Sequence, residues 1–220
     1  MGIFHFPSNF VYWRKVPKHC IFKEKILKYI AENPDGHRQH NLIGKGLSSH
    51  GNLKSENFLK NYKEFIDSVV WDTVSELLKE LNSLKNTLPV DISESIIRQC
   101  WYTVYKTNSN ISIHNHEGMG RETHLINNAK FLQTFTVLYI INDENEKNGT
   151  TFVQLSSETP STQLEKTIEF KTSNLKDVGE GTVFIFPSNL NHEVMSIPKG
   201  GRVIFSCDVL SRFKFNNGYY

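Results

Sequence analysis

The feature that most constrains the fold is a change of hydrophobic periodicity at Pro89. From Ser55 to Lys85, apolar residues recur every three or four positions, which predicts a helix with Ser55 as its N-cap. After Pro89, short strand-like runs alternate with turn residues. The runs lie near residues 96–106, 111–116, 133–142, 150–155, 166–171, 182–186, 192–197 and 201–209. This pattern predicts a mainly β fold with helices (α+β), of the two-sheet sandwich or jelly-roll type.

The first part of the chain is predicted to support this β region. Residues 1–20 are rich in aromatic side chains and are predicted to be extended and packed onto the domain. A helix is predicted over 21–31, and residues 35–55, which are polar and rich in glycine, are predicted to form a loop. Because an apolar helical stripe usually packs on a core, we expect the 55–85 helix to cover the back of a sheet. Residues 1–90 are thus a helical support in the same domain as a β core, residues 91–220.

Charge and cysteine content exclude several classes of protein. The 25 basic and 23 acidic residues leave a net charge of +2, so the bulk charge does not indicate a nucleic-acid surface. Cys20, Cys100 and Cys207 have neither zinc nor redox spacing, which favours a reducing compartment. There is no apolar stretch of signal-peptide or membrane-span length. We therefore expect a cytoplasmic protein without a membrane partner.

Two histidines stand at strand spacing. His114 and His116 follow the alternating run Ile111-Ser112-Ile113, so on a strand both imidazoles would project from one face. Two imidazoles on a rigid face are half of a metal site. His192 is the candidate for the remote third ligand. The remaining histidines are predicted to be structural or solvated: His5, His19, His37, His40, His50 and His124.

Residues 96–209 resemble the double-stranded β-helix (jelly roll, cupin-like) of iron(II)- and 2-oxoglutarate-dependent oxygenases, and are similar to a group of them common in phage and marine bacterial genomes. Order and spacing carry the resemblance, which residues 1–90 do not share. The matching pieces are Trp101-Tyr102-Thr103-Val104-Tyr105, His114-Asn115-His116, Phe135-Thr136-Val137-Leu138-Tyr139-Ile140, Asn148-Gly149-Thr150-Thr151-Phe152, Gly181-Thr182-Val183-Phe184-Ile185-Phe186-Pro187-Ser188, His192 and Arg202.

The resemblance implies a metal centre and a co-substrate site. Iron(II) would be held on one octahedral face, with the opposite positions left for 2-oxoglutarate and O₂. In this family a cation about ten residues after the distal histidine holds the far carboxylate of 2-oxoglutarate, and Arg202 has that offset from His192. Tyr105 resembles the first-strand tyrosine that often donates to the same carboxylate. The implied cofactors are therefore Fe(II) and 2-oxoglutarate.

One position departs from the family. Its first motif is usually His-x-Asp or His-x-Glu, whereas His116 stands third here. Three alternatives follow: a three-histidine centre, which we favour; a bulge that turns Glu117 inward; or a degenerate centre in which His116 is not a ligand. Residues 117–132, directly after the pair, are long enough for a lid, from which Arg121 could meet a substrate.

Three functions compete. The first is an iron(II)- and 2-oxoglutarate-dependent dioxygenase that hydroxylates or demethylates its substrate. The second is a cupin-like three-histidine dioxygenase that uses no 2-oxoglutarate, and the third is a non-enzymatic jelly-roll binding module with a vestigial metal site. The substrate class (small molecule, protein or nucleic acid) and the oligomeric state stay open, because a fold does not choose among them.

Overall fold

The computed structural model describes residues 2–5, 9–39, 46–83, 91–116, 123–143, 149–154 and 168–214. The helices within these ranges are α1 His19–Glu32, α2 Leu53–Asn61, α3 Lys63–Ile66 and α4 Asp72–Ser83, with 3-10 turns at Pro34–Gly36 and Thr172–Asn174. The strands are β1 Gly2–His5, β2 Phe10–Lys15, β3 Arg38–Gln39, β4 Leu47–Ser48, β5 Asp91–Tyr105, β6 Ser109–His114, β7 Thr123–Ile126, β8 Ala129–Asn142, β9 Thr150–Gln154, β10 Ile168–Lys171, β11 Thr182–Pro187, β12 Asn191–Ile197 and β13 Arg202–Lys214.

The strands form two antiparallel sheets. The larger has the order β1-β2-β11-β8-β13-β5-β4-β3, with β7 paired to β8, and the smaller has the order β10-β9-β12-β6. Each of the eight strand-like runs that follow Pro89 has its counterpart in β5, β6 or β8–β13. The prediction of a jelly roll backed by helices is therefore confirmed.

The larger sheet separates two hydrophobic cores, and period-two alternation assigns its residues to them. On β8, Val137, Tyr139 and Ile141 pack in the core that contains the helical residues, whereas Leu138 and Ile140 pack toward the smaller sheet. The core between the sheets is completed from the smaller sheet by Ile111, Phe152, Phe170, Val194 and Ile197. The alternating sequence thus buries both faces of the larger sheet.

The helical layer packs on that sheet as expected but is not one helix. Asn52, not Ser55, caps α2: its side chain accepts the Ser55 N–H at 3.0 Å, while the Ser55 hydroxyl donates to the carbonyl of Gly36 at 2.8 Å. The run is interrupted at Tyr62 and by a π-helical turn at Asp67–Trp71. Residues 84 and 85 of the predicted helix lie outside the described residues.

Other segments differ from the prediction or refine it. The predicted 35–55 loop contains β3 and β4, and β4 adds to the larger sheet beside β5. The predicted 117–132 insert contains β7, which forms a hairpin with the start of β8, and residues 117–122 lie outside the described part of the chain. The extended N-terminal segment is confirmed as strands, because β2 pairs with β11 at the sheet edge. The division of the chain at residue 90 stays a prediction.

Among the described helices, none has the length and apolar character needed to cross a membrane.

Candidate metal centre

His116 is placed by its backbone rather than by a strand. β6 ends at His114, and His116 follows in a bend. The His116 N–H donates to the carbonyl of Ser188 at 2.9 Å, and its carbonyl accepts from Gln133 Nε2 at 2.8 Å. These two bonds keep the His116 ring beside that of His114, with centroids 5.4 Å apart. The predicted pairing is therefore found, although the strand stops two residues earlier than the predicted one.

The register of the smaller sheet brings in the third histidine. His192 on β12 lies directly opposite His114 on β6, because the two strands are antiparallel neighbours. The His192 ring centroid lies 4.3 Å from that of His114 and 5.1 Å from that of His116. One ring nitrogen from each histidine falls within 4.8 Å of the other two. The three residues predicted as metal ligands form one cluster.

Hydrogen bonds fix which nitrogen of each ring faces the cluster. The Nδ1 atoms of His114 and His192 lie 2.8 and 3.1 Å from the carbonyl oxygens of Ser112 and Leu190. A carbonyl only accepts, so each Nδ1 carries the proton and each Nε2 keeps its lone pair for a cation. Burial lowers the pKa of His192 well below its usual value, and the neighbouring His114 and His116 lower it further. The ring of His192 is therefore neutral, which is the form that binds metals.

The Nδ1 of His116 has a different acceptor. It lies 2.7 Å from Oδ1 of Asp208, a β13 carboxylate that is almost completely buried. The indole of Trp101 stacks on the His116 ring with centroids 5.5 Å apart, and His50 meets Trp101 edge-on at 4.9 Å. His116 is thus held from its backbone, its ring edge and its ring face.

A cavity of about 200 Å³ opens at the histidines between the two sheets. Its walls come from β5 and β13 on one side and from β6 and β12 on the other. They include three residues that the sequence did not single out as site residues, His50, Gln99 and Asp208. Gln99 and Trp101 share the parity of Tyr105 on β5, and Asp208 shares that of Arg202 on β13, so strand parity would have indicated them. His50 was predicted to be structural or solvated, and no sequence signal distinguishes it.

The two residues predicted to hold 2-oxoglutarate lie opposite each other across β5 and β13. Tyr105 lines the cavity, and its buried hydroxyl has no hydrogen-bond partner among the described residues. Burial raises the pKa of Tyr105, an effect that Arg202 partly offsets, so the hydroxyl stays a donor. Arg202 is fully buried, with its guanidinium carbon 5.8 Å from the Tyr105 ring centroid. Its Nη2 donates to Thr150 Oγ1 at 3.3 Å, and its Nε lies 3.8 Å from Asp143 Oδ2.

These residues fit the groups that the resemblance implies. Three imidazoles whose ring nitrogens converge suit a divalent first-row metal. A buried hydroxyl donor beside a buried guanidinium suits the carboxylate of a small anion. By contrast, Tyr102 and Tyr139 pack in the helix-side core. Glu117, the alternative ligand, and Arg121 lie outside the described residues.

Comparison with known proteins identifies solved structures of similar fold. No protein-family model and no curated protein matches the sequence. Among solved structures, the fold is similar to that of HygX from Streptomyces hygroscopicus with nickel and 2-oxoglutarate bound. The identity is 8%, the TM-score is 0.53, and 93% of this chain and 83% of HygX are covered. A HygX structure that also holds hygromycin B gives the same four values.

SnoN, described as a non-heme alpha-ketoglutarate-dependent epimerase from nogalamycin biosynthesis, is similar to a comparable degree. Its identity to this chain is 8% and the TM-score is 0.55, over 90% of this chain and 76% of SnoN. At such low identity these likenesses establish the fold and leave the chemistry to be argued from the site. The chain thus shares its jelly-roll fold with HygX, which was solved with 2-oxoglutarate bound, and with the alpha-ketoglutarate-dependent SnoN.

Proposed function

We propose that the chain is an iron(II)- and 2-oxoglutarate-dependent dioxygenase that hydroxylates or demethylates its substrate. The observation that carries the proposal is the convergence of His114, His116 and His192 at one end of a cavity that has an unsatisfied Tyr105 hydroxyl in its wall. The 2-oxoglutarate bound in a HygX structure of the same fold supports it.

Residues in the cavity wall and behind it have separate tasks in this proposal. The three Nε2 atoms would hold the iron. The Tyr105 hydroxyl and the Arg202 guanidinium would orient the far carboxylate of 2-oxoglutarate, and Thr150 positions the guanidinium. Apolar side chains of the wall, Leu138 and Ile204 among them, exclude water around the co-substrate. With iron and 2-oxoglutarate bound, the centre supplies the oxidising power, while the chain supplies ligation and orientation.

A cupin-like dioxygenase without 2-oxoglutarate is the second candidate, and a specific observation favours it. Arg202 already contacts Asp143 and Thr150. Among the described residues, Tyr105 lines the cavity and Arg202 does not. A three-histidine ligand set also lacks the carboxylate of the family's usual motif. In this alternative the substrate would bind the metal directly.

Anaerobic titration with iron(II), first alone and then with 2-oxoglutarate, separates the candidates. The dioxygenase binds one iron and then 2-oxoglutarate, with the weak visible absorption that a 2-oxo acid gives when it chelates iron(II). The cupin-like enzyme binds iron and shows no such absorption. A protein that binds no iron at stoichiometric concentration is the vestigial binding module.

Arg202 provides the sharper test of 2-oxoglutarate binding. Arg202→Ala should weaken 2-oxoglutarate binding by about 2–5 kcal/mol, or roughly 30- to 4,000-fold, because a buried carboxylate loses its charged donor. Iron binding should persist, since the guanidinium is not a ligand. Arg202→Lys keeps the charge without the planar fork and should bind with intermediate affinity. If Arg202→Ala binds 2-oxoglutarate as tightly as the wild type, the cupin-like function leads.

A further inference from the structure

The carboxylate of Asp208 is buried beside His116. Its side chain is 2% exposed, and among the described residues its ion pairs include neither lysine nor arginine. Its Oδ1 lies 2.7 Å from His116 Nδ1 and 3.3 Å from the hydroxyl of Thr136. Its Oδ2 accepts from Gln99 Nε2 at 2.8 Å. A buried carboxylate requires compensating partners, and among the described residues that contact it only His116 is titratable.

The three histidines are therefore not equivalent. The Nδ1 atoms of His114 and His192 face neutral carbonyl oxygens, whereas the Nδ1 of His116 faces a carboxylate oxygen. A carboxylate at the far nitrogen of a metal-bound imidazole fixes its tautomer and makes its other nitrogen a stronger ligand. His116 also occupies the position at which the oxygenases that this sequence resembles usually have a carboxylate ligand.

We propose that Asp208 is a positioning residue for the metal. A third histidine in place of the usual carboxylate leaves the ligand set without a negative charge. Asp208 supplies a negative charge to the centre through the ring of His116. The inference rests on the proposed metal centre and adds the residue that sets its charge. Two of the three histidine ligands are then hydrogen-bonded to carbonyls and the third to a carboxylate. The usual set is instead two histidines and one carboxylate that binds the metal directly.

The network around Asp208 has the geometry this role needs. Gln99, Asp208 and Thr136 sit in register on three neighbouring strands, β5, β13 and β8. The Thr136 hydroxyl also contacts the hydroxyl of Ser188, whose carbonyl accepts the backbone N–H of His116. One hydrogen-bonded unit therefore holds both the ring and the backbone of His116, so its Nε2 is aimed before a metal arrives.

The test replaces the charge and keeps the shape. In Asp208→Asn the amide oxygen can still accept from His116, and the Gln99 amide can turn to match the new group. The control is Ser206→Ala, because Ser206 lines the same cavity from the same strand and carries no charge. Cobalt(II) serves as the probe, with affinity and visible spectrum measured for each protein, and the iron midpoint potential is measured electrochemically.

We expect cobalt binding to weaken about 10- to 100-fold in Asp208→Asn, with a changed visible spectrum and a more positive iron potential. Ser206→Ala should match the wild type in all three. Unchanged affinity, spectrum and potential in Asp208→Asn would overturn the inference, and so would equal losses in both variants. If the wild type itself binds no cobalt, the proposed metal centre fails and the inference fails with it.

A measurement on the wild type keeps the proposal testable if Asp208→Asn does not fold. In zinc-loaded protein labelled with ¹⁵N-histidine, His116 should be bound to the metal through Nε2 and protonated at Nδ1. Its Nδ1–H should resonate further downfield than those of His114 and His192, because only its acceptor is charged. A His116 ring without a proton on Nδ1 contradicts the proposal.

Discussion

The hydroxyl of Tyr105 lies in the cavity wall without a hydrogen-bond partner among the described residues. Tyr105→Phe should therefore leave the free energy of unfolding unchanged or slightly raised, since an unsatisfied buried donor is costly. If that hydroxyl donates to 2-oxoglutarate, its loss should weaken binding by about 1.5–3 kcal/mol, or roughly 10- to 150-fold. Anaerobic titration of the iron-loaded protein and urea unfolding measure the two effects.

Tyr102→Phe is the matched control, because Tyr102 lies on the same strand and faces the helices. Its hydroxyl is within hydrogen-bonding distance of His37 Nδ1, at 3.1 Å. This variant should lose stability and keep wild-type affinity for 2-oxoglutarate. Equal affinities in both variants would remove Tyr105 from the co-substrate site.

At the scale of single residues, the sequence predicts the ligands better than their support. His114, His116 and His192 carry a chemical signature together with a strand period, and they meet as predicted. Asp208 has no such signature in the sequence. Its role becomes visible only when the structure shows that it pairs with Gln99 across the strands and lies next to His116. His50 reaches the cavity from the end of a two-residue strand that leaves no periodic signal.

α4 buries apolar side chains in the core on the helix side of the larger sheet. Leu77 is fully buried in that core, so Leu77→Ala should lower the free energy of unfolding by about 2–5 kcal/mol. Leu53, at the start of α2, is 72% exposed, and Leu53→Ala should have little effect. Urea unfolding of both variants checks the difference. A near-zero change at Leu77 would mean that its side of α4 is not packed on the sheet.

α1 is tied to the sheet by Glu180, which precedes β11. Its carboxylate accepts from Lys23 at 2.8 Å and from the backbone N–H of Asp143 at 3.2 Å, and it lies 3.1 Å from His19 Nε2. Burial alone would raise the pKa of Glu180, but the hydrogen bonds from Lys23, His19 and Asp143 outweigh it and lower the pKa. The stabilising effect is therefore complete above the unfolded-state pKa of about 4.3 and is lost as pH falls through the lower folded-state value.

Glu180→Gln should consequently be less stable than the wild type at neutral pH, and the difference should shrink below about pH 4.3. Urea unfolding between pH 7 and acid pH measures it. Glu169→Gln is the control, since Glu169 pairs with Lys171 where both side chains are exposed. A difference for Glu180→Gln that does not vary with pH would show that its charge does not stabilise the fold.

At the scale of elements, periodicity finds segments but not their interruptions. The apolar spacing of the predicted 55–85 helix continues across Tyr62 and the π-helical turn, so the pattern alone cannot locate the breaks. The short β3 and β4 owe their strand conformation to pairing in the sheet rather than to any local pattern. In the described β core, all eight predicted runs correspond to strands, including the four-residue β10, whereas the four-residue β7 was not predicted.

For the whole molecule, a metal bound by His114, His116 and His192 would join β6 to β12 inside the cavity. At a free metal concentration 100 times the Kd, binding should stabilise the folded state by about 2.7 kcal/mol and raise the unfolding temperature by roughly 5–10 °C. Thermal unfolding with cobalt(II) and with a chelator measures the shift. His192→Ala should show none, and a shift of wild-type size in that variant would place the metal elsewhere.

The jelly roll itself could be predicted because its strands alternate and because the histidine and arginine motifs fall on them in the family's order. The sheet that each strand joins could not be predicted. For example, β8 and β13 lie side by side although some sixty residues separate them. Such long-range pairing depends on how the cores on either face of the larger sheet are filled, and a local pattern does not contain that information.

The alternation along β13 has a consequence for engineering. From Arg202 to Asp208 the even positions face the cavity side, whereas Val203, Phe205 and Cys207 face the helices. Substitutions at these seven consecutive positions should therefore have two kinds of effect, on stability and on binding, at alternating positions. In a saturation library over this stretch, the odd codons should score in assays of expression and heat tolerance, and the codons of Arg202 and Asp208 in assays of anion and metal binding. Robustness and chemistry can thus be selected separately within one short oligonucleotide.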